Sequence, residues 1–234
     1  MTCSHNFSRR NFLTTTAMGS VALLLSGFEK AFATDSAPKV TADEAMKLLK
    51  EGNARFTSGK TTRPHITKER LQETYKQGQH PFATIIACSD SRVPVEEIFD
   101  QGVGDIFTIR VAGNVVHADE SGSVEYGAGH LGTGLVVVMG HTKCGAVTAV
   151  VKGDKLGGNI PKLVDTIAPA VARSKAKKPE LTGDALINDS IIENVKESMS
   201  LLLKSEEIAH LVHEGKVKVV GALYHIESGI VDWL

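Results

Sequence analysis

Residues 135–141 read LVVVMGH, and the histidine that ends this run opens a second short stretch, HTKC (141–144). A continuous apolar run of this length, rich in β-branched valine, predicts a strand buried on both faces, as in a parallel sheet. The segments around it agree. FATIIA (82–87) is a second apolar run, DIFTIRVA (105–112) is strand-like, and VKVVGALYHIE (217–227) predicts a last long strand before a turn at Ser228-Gly229 and a short IVDWL. Between them, PVEEIFDQG (94–102), SGSVEYGAGHLGTG (121–134) and GAVTAVVKG (145–153) read as helices. NIPKLVDTIAPAVARSKAKK (159–178) and DALINDSIIENVKESMSLLLKS (184–205) read as longer ones. Two more precede the first strand. Thr41 with Glu44 forms a capping box for a helix running to Phe56, and ITKERLQETYKQG (66–78) is closed by Gly78. Strands alternating with helices predict a single α/β domain over 41–234, built on a central, mostly parallel β-sheet flanked by helices.

In such sheets, sites gather outside the carboxyl ends of the strands. His141 lies at one such end, with Cys144 three residues on. CSDSR (88–92) lies at another, just after FATIIA. If the two strands are neighbours, Cys88, His141 and Cys144 meet. Two thiolates and an imidazole suit zinc, and three protein ligands leave one position open, as in catalytic rather than structural zinc sites. Other readings of the same residues stand beside this one. Cys88 and Cys144 could form a disulfide, or could be inert buried thiols. Cys88 with His141 could be a nucleophile pair, which leaves Cys144 without a role. Asp90 and Arg92, two apart in a turn, can pair through a bidentate contact. That pair is either a structural salt bridge or a carboxylate set beside a metal-held water.

CSDSR and HTKC together, in this order and on these strands, resemble the beta-class carbonic anhydrases, whose signatures are Cys-x-Asp-x-Arg and His-x-x-Cys. The resemblance extends from about Thr41 to Leu234 and takes in RVAGN (110–114), SVEY (123–126) and GALYHIESGIVDWL (221–234). It implies a zinc lyase that interconverts carbon dioxide and water with bicarbonate and a proton, holding one Zn2+ per chain on Cys88, His141 and Cys144. It implies that Asp90 orients the zinc-bound water and that Arg92 holds Asp90 off the metal, Asp90 becoming a ligand only in a closed state. It implies a substrate pocket completed by Gln79, Phe107 and Tyr126, some of them donated by a neighbouring subunit, in a homodimer or a multiple of dimers whose N-terminal helices pack on the partner. Gly145 is expected to let backbone come close to the metal site. A second subclass carries a tryptophan three residues before the first cysteine; here that residue is Ile85 and the only tryptophan is Trp233, so the chain is similar to the plant-like, open subclass. Two alternatives remain: an enzyme of the same fold acting on carbonyl sulfide or carbon disulfide, and a non-catalytic zinc or redox protein.

The chain has 234 residues, 42% of them hydrophobic and 23% charged, with a net charge of −1. That size suits one well-cored domain, and the charge provides no field to attract nucleic acid. The N-terminus reads as an address. SRRNFL (8–13) precedes the apolar AMGSVALLLSGF (17–28), and AFA (31–33) supplies a small-x-small end. This predicts a signal peptide over 1–33, and the adjacent Arg9 and Arg10 resemble a twin-arginine export signal, so the periplasm or an equivalent compartment is expected. Residues 34–40 read as a flexible leader. Cleavage after Ala33 removes Cys3, leaves Cys88 and Cys144, and leaves no segment for stable membrane insertion.

Overall fold

The computed structural model describes residues 40–234; the expected export signal and the expected leader up to residue 39 lie outside them. Within the described residues the order is α1 (Ala42–Thr57), α2 (Lys68–Gln77), β1 (Ala83–Ala87), α3 (Val95–Ile98), β2 (Ile106–Arg110), α4 (Ala118–Glu125), β3 (Leu135–His141), α5 (Gly145–Lys152), α6 (Ile160–Leu163), α7 (Ile167–Lys177), α8 (Gly183–Leu202), α9 (Glu206–His213), β4 (Lys218–Tyr224) and β5 (Val231–Trp233). The strands form one sheet in the order β2-β1-β3-β4-β5. β1 is parallel to both β2 and β3, and β3 is parallel to β4; only β5 runs antiparallel, against β4. The α/β class with a mostly parallel sheet is as the apolar runs predict.

Both faces of the sheet are covered, which is why β1 and β3 read as unbroken apolar runs rather than as alternating ones. Side-chain alternation still sorts them. Ala83, Ile85, Ala87, Leu135, Val137 and Met139 join Leu49, Ile98 and Phe99 on one face. Ile86, Val136 and Val138 join Val195, Leu202 and Ile208 on the other. A third cluster lies beyond the strand ends, where Cys88 and Cys144 are set among Val115, Val147, Ile167, Ile187 and Ile191.

Four local readings change. The helix expected over 159–178 is two helices, α6 and α7, broken at 164–166. A continuous helix would bury Pro169 in its interior, where the ring clashes with the carbonyl four residues back; the break puts Pro169 in the first turn of α7, where a missing N–H costs nothing. The helix expected from Ser121 starts at Ala118, and its glycine-rich end, Tyr126–His130, widens into a π turn. The strand expected to reach Ala112 stops at Arg110 and gives way to a 3₁₀ turn, Ala112–Asn114. The helix expected over 184–205 ends at Leu202, and a further helix, α9, follows, capped by the Ser205 hydroxyl.

α1 has the expected capping box, with Thr41 accepting from the Glu44 N–H and Glu44 accepting from the Thr41 N–H. Its far end is tied to the core through Asp100, whose side chain is almost fully buried. Asp100 accepts from Arg55 Nε at 2.6 Å, from the Thr62 N–H and hydroxyl at 2.9 Å each and from the Arg63 N–H at 2.8 Å. Burial alone would raise this carboxyl, but those donors outweigh it and hold Asp100 at about 2. A depressed carboxyl stabilises the fold above its unfolded pKa, near 4, and loses that contribution as pH falls through about 2. Asp100→Ala is therefore expected to lower the unfolding free energy at pH 7 by about 2–4 kcal/mol, read as a lower urea midpoint, and to flatten the acid dependence of stability between roughly pH 4 and 2. An unchanged midpoint would refute the tether.

Candidate metal centre

The register of β1 and β3 brings two strand ends side by side. Ala87 pairs with Met139, so the next residue, Cys88, stands level with Gly140 and beside His141. Cys144 follows a tight turn in which Lys143 adopts φ 56, and it caps the N-terminus of α5. The metal-binding atoms of Cys88, His141 and Cys144 all lie within 4.8 Å of one another, and all three residues are buried. Neither cysteine is in a disulfide, so the disulfide reading does not describe this arrangement. Gly140 permits the crowding: a Cβ there would meet Val195 Cγ2 of α8 at 2.7 Å.

The donor set fits a metal on two counts. His141 Nδ1 lies 2.9 Å from the Thr142 carbonyl, which can only accept, so Nδ1 carries the proton and Nε2 presents a lone pair. That Nε2 is fully buried and has no hydrogen-bond partner. An orphaned buried acceptor is costly, and a cation would satisfy it. The second count is charge. The Cys144 thiol, aided by the Gly113 and Asp90 N–H groups, outweighs burial and holds Cys88 well below the usual thiol range. Cys144 moves the other way, raised by its hydrogen bond to Cys88, by burial and by the Cys88 charge. Two sulfurs this close share a single negative charge, and a dication is what allows both to ionise. The apolar cluster around them strengthens either effect.

Asp90 stands at the rim, with Oδ2 4.0 Å from His141 Nε2. Both of its oxygens are engaged: Oδ1 accepts from Arg92 Nε at 2.9 Å and from the Arg92 N–H at 3.0 Å, and Oδ2 accepts from Arg92 Nη2 at 2.8 Å. The Arg92 guanidinium, against a smaller opposing effect of burial, holds the Asp90 carboxyl well below the usual range. In this arrangement Asp90 is held by arginine. Arg110, singled out in the sequence only within RVAGN, shapes this loop: its guanidinium donates to the Cys88 carbonyl at 3.1 Å and to the Asp90 carbonyl at 2.6 Å. Gly113 is a second residue that reasoning from spacing misses. Its N–H donates to Cys88 Sγ at 3.2 Å. Like Arg110, this glycine is marked in the sequence only as part of RVAGN.

Phe107 and Tyr126 meet each other, with ring centroids 5.9 Å apart, but not the trio. Phe107 pairs with Thr84, four residues before Cys88, or roughly 13 Å along the strand. Gln79 is exposed ahead of β1, at the sheet end opposite Cys88. One chain does not bring these three to its own cysteines. Gly145 opens α5, and a Cβ there would meet nothing within 4 Å. Packing does not require that glycine; the space in front of it is open. His117 and His225 are occupied structurally, against the Leu163 carbonyl at 3.2 Å and Asp232 at 2.9 Å.

A family profile described as carbonic anhydrase matches residues 83–231. The chain is 34% identical over 197 residues to carbonic anhydrase 2 of Mycobacterium tuberculosis, covering 82% of this chain and 92% of that protein. It is 35% identical over 193 residues to a carbonic anhydrase of Mycolicibacterium smegmatis, covering 80% and 91%. Among solved structures it is similar to the beta-carbonic anhydrase CcaA, with TM-score 0.65 and 30% identity over 81% of this chain and 98% of that one.

Cobalt(II) added to metal-stripped protein should give an intense sulfur-to-metal charge-transfer absorption that saturates at about one ion per chain, and Cys144→Ala should lose it. A wild-type titration without that band would remove the trio as a metal centre.

Proposed function

The chain belongs to the beta-class carbonic anhydrases, and we propose that Cys88, His141 and Cys144 hold its zinc ion while Asp90 and Arg92 serve the reaction beside it. The reaction is the reversible hydration of carbon dioxide to bicarbonate and a proton. The observation that carries the assignment is the buried trio with its orphaned His141 Nε2. A zinc ion there supplies Lewis acidity, which lowers the pKa of water from about 16 to about 7.

The remaining work falls to side chains. Asp90 Oδ2, at the rim of the trio, accepts a hydrogen bond from water entering the site and sets its orientation toward the carbon of CO2. Arg92 holds both Asp90 oxygens, so the carboxylate neither swings onto the cation nor picks up a proton near neutral pH. A structural metal site would need neither residue. This restraint, together with a fully buried aliphatic Ile85 where the other subclass has tryptophan, supports the plant-like, open subclass.

We place Gln79, Phe107 and Tyr126 in a pocket shared between subunits, because their own chain keeps them at the far end of the sheet. α2 supports a partner there. It has no buried residue, and Leu71 and Tyr75, one helical turn apart, are 50% and 85% exposed, with Ile66 and Val103 nearby also exposed. A homodimer, or a multiple of dimers, would cover that face. Gly145 is assigned to the substrate side of the metal on the open space before it.

Export by a twin-arginine route to the periplasm completes the reading and rests on Arg9, Arg10 and the apolar run after them. Among the described residues no helix is long and apolar enough to cross a membrane.

Stopped-flow CO2 hydration by purified zinc-loaded protein is the direct test. Activity is expected in the wild type, and Asp90→Ala should lose about 10²–10⁴-fold in turnover while keeping one zinc per chain. A zinc-loaded wild type inactive across roughly pH 7–9 would refute the enzyme. Separately, replacing Arg9 and Arg10 by lysine should leave uncleaved precursor in the cytoplasm; undiminished export would exclude the twin-arginine route.

A further inference from the structure

The turn that carries Gly113 is held from outside. Gly113 adopts φ 76 and Asn114 adopts φ 43, two successive residues in the left-handed region. Asparagine tolerates this region better than most residues, but two such residues in succession are uncommon and gain from being held by their surroundings. At Gly113 the surroundings also exclude a side chain, since a Cβ would meet Ile167 Cδ1 at 2.9 Å and Ala146 Cβ at 3.1 Å. Helix α8 grips both carbonyls of the turn. Asn194 Nδ2 donates to the Gly113 carbonyl at 2.8 Å, and the Ser198 hydroxyl, one helical turn on, donates to the Asn114 carbonyl at 2.9 Å. Asn194 and Ser198 are each 1% exposed.

We propose that Asn194 and Ser198 are positioning residues for the metal thiolate, clamping the 112–114 turn so that the Gly113 N–H is aimed at Cys88 Sγ. The proposal rests on reading Cys88 as a metal ligand. Stability alone accounts poorly for the clamp. Asn194 Oδ1 and Asn114 Nδ2 are buried without a protein partner, a cost that offsets much of what the two hydrogen bonds contribute. What the clamp secures is direction: an N–H···S bond draws charge from the Cys88 sulfur and fixes its orientation. Less charge then passes from sulfur to the cation, which stays the stronger Lewis acid.

Cobalt(II) and zinc(II) are the probes, used on the purified protein after metal removal. In Asn194→Ala and in Ser198→Ala the sulfur-to-cobalt band should move to longer wavelength, because a sulfur freed of its N–H donor gives up charge more readily. Zinc affinity, measured by competition with a chromophoric chelator, should fall about 10–100-fold, because the lost orientation of the Cys88 sulfur outweighs its stronger donation. Ser198→Thr, which keeps the hydroxyl, should restore both. Ser190→Ala removes another buried hydroxyl of α8, one with no partner, and should move neither. Wild-type band position and zinc affinity in both alanine variants would overturn the proposal. Ser198→Ala deletes a single hydroxyl and keeps the test available should Asn194→Ala fail to fold. A wild type with no band would instead refute the metal centre, and the clamp with it, an outcome distinct from a band that the variants leave in place.

Discussion

The parallel pairing of β1 with β3 is the constraint on which the centre depends. Cys88 and His141 are far apart in sequence, and nothing local brings them together. The Ala87–Met139 pairing sets them side by side, and the alternation of a strand then decides which way each side chain faces. A slip of one residue would turn Cys88 to the opposite face and separate it from His141. Burial on both faces specifies the register, since Ile85 and Ile86 belong to different clusters and cannot exchange sides without exposing or overfilling one of them.

Once the two strand ends meet, the chemistry follows from crowding charge where water is scarce. Two sulfurs and an imidazole nitrogen sit in an apolar cluster, with a carboxylate at the rim. Such a set favours a dication: the two sulfurs oppose each other's ionisation, and a buried ring nitrogen has no hydrogen-bond partner. Asp90 would be drawn to the same cation. Arg92, linked to Asp90 by two side-chain contacts, engages both carboxylate oxygens and opposes that pull. Charge-assisted bidentate geometry is stronger and more directional than a single ammonium contact, so lysine would be a poor substitute for Arg92.

Much of this was legible in the sequence, and the parts that were not have physical causes. Apolar runs identified the strands because burial on both faces leaves an unbroken signal, and LVVVMGH matched β3 end to end. Capping chemistry located the start of α1 at Thr41. The helix over 159–178 misled because apolar periodicity continues across 164–166, while the reason to break is steric and belongs to Pro169. The trio was readable because its residues lie at strand ends; its support was not. Asn194 and Ser198 read as ordinary polar positions in a long helix, and their importance comes from packing against a turn some eighty residues earlier. Spacing rules describe residues that share an element, and these share only a contact.

Phe107, Tyr126 and Gln79 extend the same argument to the next level of structure. Within one chain they line the wrong end of the sheet, so a pocket that uses them has to be completed by another copy. The parts that would carry the second copy are those the single chain stabilises least: α2 buries nothing, and its apolar residues face outward. Asp100 holds the segment leading into that helix through the Thr62 and Arg63 backbone, opposite the Arg55 end of α1. A carboxylate remote from the trio thereby sets where this exposed helix begins. The buried trio depends on a register inside one sheet, and a pocket built from Phe107, Tyr126 and Gln79 would depend in addition on how firmly that sheet presents α2.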